Sequence, residues 1–345
     1  MPQPTKLGLV LSGGGAKGAY QAGVLRYLAE MNIQPDAVAG ASIGSLNGAV
    51  VANAENVKQA ADSLEVVWRE IAEKSPLKMD PLAFVAILLK ICVAAFGGAP
   101  GRVFAMSAHQ LEKIVPVKYH KYVSDPAFFD NSPTIDILTR YAGLENDSVG
   151  LPFWVSVYES EGAIKDLVGT LRATVGISDS KGSMFLPMHL LSSEDKRKAL
   201  LASSAIPLAF EAQLISGKKY YDGGLGGWNT AQGNTPVTPL IVNEKCSHVI
   251  VTHLDDGSFW NRNSFPGTTF LEIRPKKISR NGLKDMLNFE KSTLLEWMEQ
   301  GYHDTSACIG SVKGGLDVFS KSQASHASLE KSLGDMADSL QWMKR

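Results

Sequence analysis

Cysteine is scarce in this chain: Cys92, Cys246 and Cys308 are the only three in 345 residues. They stand too far apart for a disulfide framework or for paired metal ligands, so the expected compartment is a reducing cytoplasm. Excess charge is missing too. Lys and Arg number 34 and Asp and Glu 35, a formal net charge of −1. That excludes a nucleic-acid binder working through bulk electrostatics. The start, MPQPTKLGLVL, lacks a basic stretch followed by a long apolar core, so no signal peptide is expected. Secretion by a route that needs none stays open. Internal repeats are absent, and the other histidines (His109, His120, His189, His248, His303, His326) lack metal-ligand spacing. What remains, 44% hydrophobic and 20% charged residues, is an ordinary globular composition, enough for one large domain or two small ones.

Two strand-to-helix turns dominate residues 7–48. The apolar run Leu7–Leu11 stops at Ser12-Gly13-Gly14-Gly15-Ala16-Lys17-Gly18, and a helical pattern follows through Tyr20, Val24, Tyr27, Leu28 and Met31. Three consecutive glycines let several backbone N–H groups converge on one anion, with a helix N-terminus behind them. The second turn is Gly40-Ala41-Ser42-Ile43-Gly44, between a short apolar strand and a helix of small residues. This is the G-x-S-x-G nucleophile elbow, in which flanking glycines let the strand turn sharply and raise the serine Oγ to the apex. Gly13-x-Gly15-x-x-Gly18 also fits a dinucleotide fingerprint. However, Asp36 precedes the second strand, where the ribose-binding acid should follow it. A P-loop is excluded, because Ala19 stands where its lysine chemistry should begin.

Further along, the spacing predicts an amphipathic helix over 55–74 and an apolar stretch Leu82–Phe96, broken only by Lys90. That stretch falls short of the ~20 residues a membrane span needs. It reads as a core helix or as a lid that meets lipid with Lys90 reaching the head groups. Short helices are expected at Ser107–Gln110 and from Phe128 to Leu138, a strand over Leu151–Tyr158 and a helix over Lys198–Ile206. A hairpin about Ser216-Gly217 leads into Tyr220-Tyr221-Asp222-Gly223-Gly224, which is either a plain Asp-Gly turn or a carboxylate within reach of Ser42. Strands at Val249–His253 and Thr269–Ile273, a long helix over 283–309 and a polar tail complete the pattern. In the tail, Leu329, Leu333, Met336 and Leu340 fit one amphipathic helix. A Ser–Asp–His triad using His253 is the rival arrangement, although His253 ends a buried-looking strand.

SGGGAKGAYQAGVL, GASIGSLNG, ASSAIP (Ala202–Pro207), YYDGG, NTPV and NFEKSTLLEWMEQGYHDT, in that order, closely resemble the patatin-like phospholipases. The resemblance implies a three-layer α/β/α fold with a central, mainly parallel sheet and an inserted helical cap. It implies a Ser–Asp dyad, Ser42 and Asp222, that hydrolyses lipid acyl esters without metal or cofactor. A catalytic domain is expected over 1–310, with 72–126 a variable insertion and 311–345 a polar tail.

Chemically, Ser42 attacks an ester carbonyl while Asp222 takes its proton. Backbone N–H groups of Gly13, Gly14, Gly15 and Ile43 would hold the oxyanion. Gly18, Gly40, Gly44, Gly223 and Gly224 support the turns. Lys17 is a solvated lysine, a brace for the loop, or a contact for a phosphate head group. The expected partner is a phospholipid membrane surface, met peripherally, with no nucleic acid. Two alternatives remain: a toxin or defence lipase silent until a partner or small activator binds, and an esterase of neutral lipids.

Overall fold

The computed structural model describes residues 5–74, 140–141, 150–162, 165–166, 169–170, 173, 179–205, 210–227, 230–255, 260–276, 283–286, 288–312 and 325. Leu82–Phe96, the expected helices at Ser107–Gln110 and from Phe128 to Leu138, and the apolar positions of the tail lie outside these residues.

Eight strands form one sheet. They are β1 (Leu7–Leu11), β2 (Ala37–Ala41), β3 (Phe153–Glu159), β4 (Met184–Pro187), β5 (Gln213–Ile215), β6 (Lys218–Asp222), β7 (His248–Thr252) and β8 (Thr269–Ile273). Their order is β5-β6-β3-β2-β1-β7-β8, with β4 also on β3. From β3 through β2, β1 and β7 to β8 every pairing is parallel, and β4, β5 and β6 add an antiparallel end. The central strands are buried on both faces, as parallel strands require. Leu9, Leu11, Val38 and Ile250 face one core, while Val10, Ala39, Val249 and Val251 face another. The alternation within each strand thus feeds a helical layer on either side, which makes the expected three-layer α/β/α sandwich with a mainly parallel sheet.

The first core is closed by α1 (Ala19–Glu30), α2 (Ile43–Asn53), α3 (Val57–Lys74) and α4 (Ser193–Ser203). The short α5 (Thr238–Val242) contributes Leu240 to the second. A short α6 (Leu283–Met286) and a helix over 291–312, α7, complete the described elements. In α3 the positions Val57, Ala60, Ala61, Leu64, Val67, Trp68 and Ile71 are all buried, so the amphipathic reading of 55–74 holds. Leaving Trp68 out of such a core costs about 3–5 kcal/mol.

Three boundaries differ from the sequence reading. α4 begins at Ser193 rather than Lys198, because the Ser192 hydroxyl caps the Asp195 N–H and Glu194 and Asp195 sit in the first turn. The helix expected over 283–309 is two helices. Asn288 accepts from the Glu290 N–H at 3.1 Å and starts α7 afresh. Met184–Pro187, a stretch with no element expected from the sequence, is a strand on β3. α7 lies close on α1: a methyl group at Gly301 would sit 2.0 Å from the Tyr20 carbonyl oxygen. Arg26 then reaches Glu299 with both terminal nitrogens, at 2.9 and 3.0 Å, and lies over the Tyr302 ring.

The chain runs from β1 to β2 to β3 on one side of the sheet and resumes with β7 on the other side of β1. The crevice at the C-terminal ends of β1 and β7 is therefore the topological switch point, where open α/β sheets bind ligands. The glycine-rich loop lies there.

Candidate active site

The elbow forms where β2 ends at Ala41 and α2 begins at Ile43. Between them Ser42 takes φ 51° and ψ −129°, a conformation that costs a side-chain-bearing residue on the order of 1–3 kcal/mol. A methyl group at Gly44 would lie 2.0 Å from the Leu11 carbonyl oxygen, so α2 can start this close to β1 only with glycine there. The Ser42 peptide groups are held at both ends. Its N–H donates to Ser203 Oγ at 2.9 Å, and its carbonyl accepts from Ser45 N and Ser45 Oγ at 2.9 and 2.6 Å. The side chain is left free for chemistry.

Asp222 is the last residue of β6, paired across from Val157 of β3. Its N–H donates to the Ala205 carbonyl at 2.9 Å. Its carboxyl accepts from the Gly224 N–H at 2.8 Å, and the Ser42 hydroxyl lies near enough to lower its proton affinity. Gly223 and Gly224 form a 3-10 turn that folds this N–H back onto the carboxylate. Burial dominates the electrostatics. Desolvation pushes the Asp222 carboxyl up to about 6, and the Gly224 amide and the Ser42 hydroxyl offset only part of that rise.

The glycine loop stands over Ser42. A methyl group on Gly13 would come within 2.8 Å of Ser42 Cβ, so this strand end meets the elbow directly. Gly15 has φ +59°, and the Met286 carbonyl of α6 lies against it. The Gly13 N–H points to the Asn234 carbonyl at 3.4 Å, and Asn234 Nδ2 reaches back to the Gly13 carbonyl at 3.5 Å. The Gly13 amide is therefore already directed at a carbonyl, whereas the first amide of α2, that of Ile43, has no acceptor within its own helix. Below the loop a buried chain of hydrogen bonds fixes its start. Trp68 Nε1 donates to Asn47, Asn47 donates to Gln21, and Gln21 donates to the Ser12 carbonyl at 2.8 Å.

Lys17 is not the solvated lysine that the sequence allowed. It is 1% exposed and ion-paired with Asp255, just beyond β7. That pair bridges the switch crevice and leaves the lysine as a brace for the loop. Asp36 is spent at the opposite end of the sheet, where its carboxylate accepts the Leu7 N–H at 2.7 Å, so the dinucleotide arrangement does not form. His253 is fully buried, and its Nε2 pairs with Glu272 at 3.1 Å while Nδ1 has no partner among the described residues. Neither ring nitrogen bonds Ser42 or Asp222. Burial depresses the imidazole's proton affinity, so it is a neutral donor to a carboxylate. That carboxylate, Glu272, is held down at about 2, first by the His253 hydrogen bond and further by Arg274 and Trp260. The triad alternative has no geometry to support it.

The polar residues Asn234, Ser203, Gln21 and Asn47 were not singled out from the sequence. Ser203 and Asn234 lie inside the ASSAIP and NTPV strings, which offered a position but no role.

Residues 9–241, more than half of the 345, match the patatin-like phospholipase family. The chain belongs to this family. Lysophospholipase nte1 of Aspergillus terreus is 41% identical over 70 residues, 18% of this chain and 5% of that protein. The patatin-like phospholipase domain-containing protein 7 of Rattus norvegicus is 47% identical over 53 residues, 15% of this chain and 4% of that one. The patatin-like chain thus matches only about a twentieth of the length of these relatives. The crystal structure of VipD from Legionella pneumophila is 14% identical with a TM-score of 0.40, covering 89% of this chain and 67% of that one. Membership of this family supports a patatin-like lipid hydrolase. Among the described residues, no helix is long and apolar enough to cross a membrane.

Proposed function

We propose that this patatin-like protein is a serine acyl hydrolase that releases fatty acids from membrane phospholipids, of phospholipase A or lysophospholipase type. The observation that carries the reading is the buried Asp222 carboxyl, its proton affinity lowered by the Ser42 hydroxyl beside it, at a strained elbow under the glycine loop. In the first step Ser42 Oγ bonds to the ester carbonyl carbon as its proton passes to Asp222. The oxygen, now an oxyanion, is held by the amides of Gly14, Gly15 and Ile43; losing one such donor costs about 10²–10³ in rate elsewhere. The C–O bond to the alcohol then breaks, and the proton on Asp222 goes to the leaving oxygen. Water repeats the sequence on the acyl-enzyme, with Asp222 taking its proton, and frees the fatty acid and Ser42. A carboxyl raised to about 6 suits this role, since it is ionised at neutral pH yet holds a proton better than an ordinary carboxylate.

The phospholipid assignment draws on the names of the relatives, lysophospholipase and phospholipase domain. The enzyme would then meet its substrate at a membrane surface as a peripheral protein. The test is fatty-acid release from a panel of phospholipid, lysophospholipid and neutral-lipid vesicles by wild type, Ser42→Ala and Asp222→Asn. Release from phospholipids that both substitutions abolish supports the proposal. Release from neutral lipids alone reassigns the substrate, and full activity in Ser42→Ala removes the nucleophile.

A further inference from the structure

We infer that Ser203 is a positioning residue for the Ser42–Asp222 pair, an assignment that rests on the dyad reading above. A hydroxyl has one proton to give and lone pairs to accept with, and both functions of Ser203 are committed. Its Oγ accepts the Ser42 N–H at 2.9 Å and donates to the Ser156 carbonyl of β3 at 2.7 Å. Ser203 is completely buried, so no water replaces it.

The geometry gives this bond more than a local meaning. Ser203 ends α4, and two residues on, the Ala205 carbonyl accepts the Asp222 N–H at 2.9 Å. One short segment therefore grips the backbone of the nucleophile with a side chain and the backbone of the base with a carbonyl. The Ser156 carbonyl anchors that segment to β3, which pairs with the nucleophile's strand at Ala41↔Ser156 and with the base's strand at Val157↔Asp222. Ser203 thus closes a loop of contacts through β2, β3 and β6, and this loop sets the distance from Ser42 to Asp222. Without the hydroxyl, the amide of a residue at φ 51° is left buried and unpaired, and the elbow relaxes toward an unstrained conformation. Oγ then leaves the carboxylate. The neighbouring Ser204 supplies an internal control, because its hydroxyl bonds only the Leu200 and Leu201 carbonyls of its own helix, at 3.1 and 3.2 Å.

The experiment uses the full chain with Ser203→Ala, Ser203→Cys, Ser203→Thr and Ser204→Ala. It measures kcat and KM on a soluble short-chain ester, the rate of Ser42 modification by an alkyl fluorophosphonate located by mass spectrometry, and the thermal transition. Folded Ser203→Ala and Ser203→Cys are expected to lose about 10- to 100-fold in kcat and in labelling rate, the scale of a misplaced reacting group. KM should stay unchanged, Ser203→Thr should recover most of the rate, and Ser204→Ala should match wild type. A structural role alone would not give that split or that rescue.

If Ser203→Ala fails to fold, the near-isosteric cysteine variant decides. Wild-type kcat in either folded variant overturns the inference, as does a folded threonine variant no faster than alanine, or failure of both alanine and cysteine variants to fold. Label on Ser42 at the same rate in wild type and Ser203→Ala overturns the positioning role alone. Absence of label on Ser42 in wild type overturns the dyad and the inference with it.

Discussion

Asp222 and Glu272 are two largely buried carboxylates on the same sheet, and their surroundings drive them in opposite directions. Glu272 accepts from His253, Trp260 and Arg274, and Arg262 lies 3.6 Å away. With charge and donors gathered round it, it is held near 2. Asp222 has one backbone amide and one serine hydroxyl, and burial lifts it to about 6. The lesson lies in what each group has left to do. Glu272 is satisfied and keeps β7, β8 and the 260–265 segment together. Asp222 is under-satisfied, and that unmet demand suits it to the proposed role of base. His253 belongs to the first cluster, which holds this histidine, at the end of a strand two places from β2, on Glu272 rather than on Ser42 or Asp222.

Breaking the under-satisfied side should have the largest effect. Ser42→Ala is expected to lower kcat by on the order of 10⁴ or more, read on a soluble ester with the thermal transition unchanged. Asp222→Asn should cost nearly as much, and the double variant little beyond either single one, since the two groups act as a unit.

Stability should move the opposite way at the two carboxylates. The Asp222 carboxyl is raised, so its ionisation costs the fold nothing below its ordinary value of 3.8 and the full penalty above about 6. Asp222→Asn should therefore stabilise the protein at pH 8, by up to about 3 kcal/mol, and not at pH 4. Glu272 is lowered, so its contribution is full above 4.5 and is lost as pH falls toward 2. Glu272→Gln should cost roughly 1–3 kcal/mol at pH 7 with kcat within about threefold of wild type. Denaturant unfolding at the two pH values checks both signs; a destabilised Asp222→Asn at pH 8 would count against the electrostatic contrast.

Smaller effects sharpen the comparison. Lys17→Met removes a buried charge whose partner Asp255 is half exposed, with 53% of its side chain accessible. The loop brace should weaken, with kcat falling about tenfold while Ser42 still labels with fluorophosphonate. His253→Gln is expected to change kcat by less than about threefold, because a neutral donor to Glu272 is retained.

Much of this contrast was legible in the sequence, and what was not has a physical reason. The elbow and the glycine loop are local: five residues at fixed spacing force the sharp turn at Ser42, and three glycines permit the loop. The apolar run Leu7–Leu11 is also local, and an unbroken run of that kind suits a strand buried on both faces. Asp222 stands out because a strand ends there with two glycines after it and because the family resemblance points to it, but its place near Ser42 depends on the antiparallel pairing of β6 with β3, which no local pattern encodes. The partners of Lys17, Ser203 and Glu272 are likewise 238, 161 and 19 residues away. Of the roles the sequence leaves open for Lys17, that of a loop brace is the one seen, because the chain beyond β7 delivers Asp255 to it. The break before α7 was hidden because Asn288 caps a helix in the middle of a continuous apolar periodicity.

The pH dependence of Ser42 modification tests the central claim most directly. Wild type and His253→Gln would be labelled with an alkyl fluorophosphonate from pH 4 to 9, and the modified residue identified by mass spectrometry. The dyad predicts label on Ser42, with one rising limb centred at about 6, where Asp222 ionises, at the same place in both proteins. A limb that shifts or disappears in His253→Gln, or label that avoids Ser42, would contradict a serine activated by Asp222.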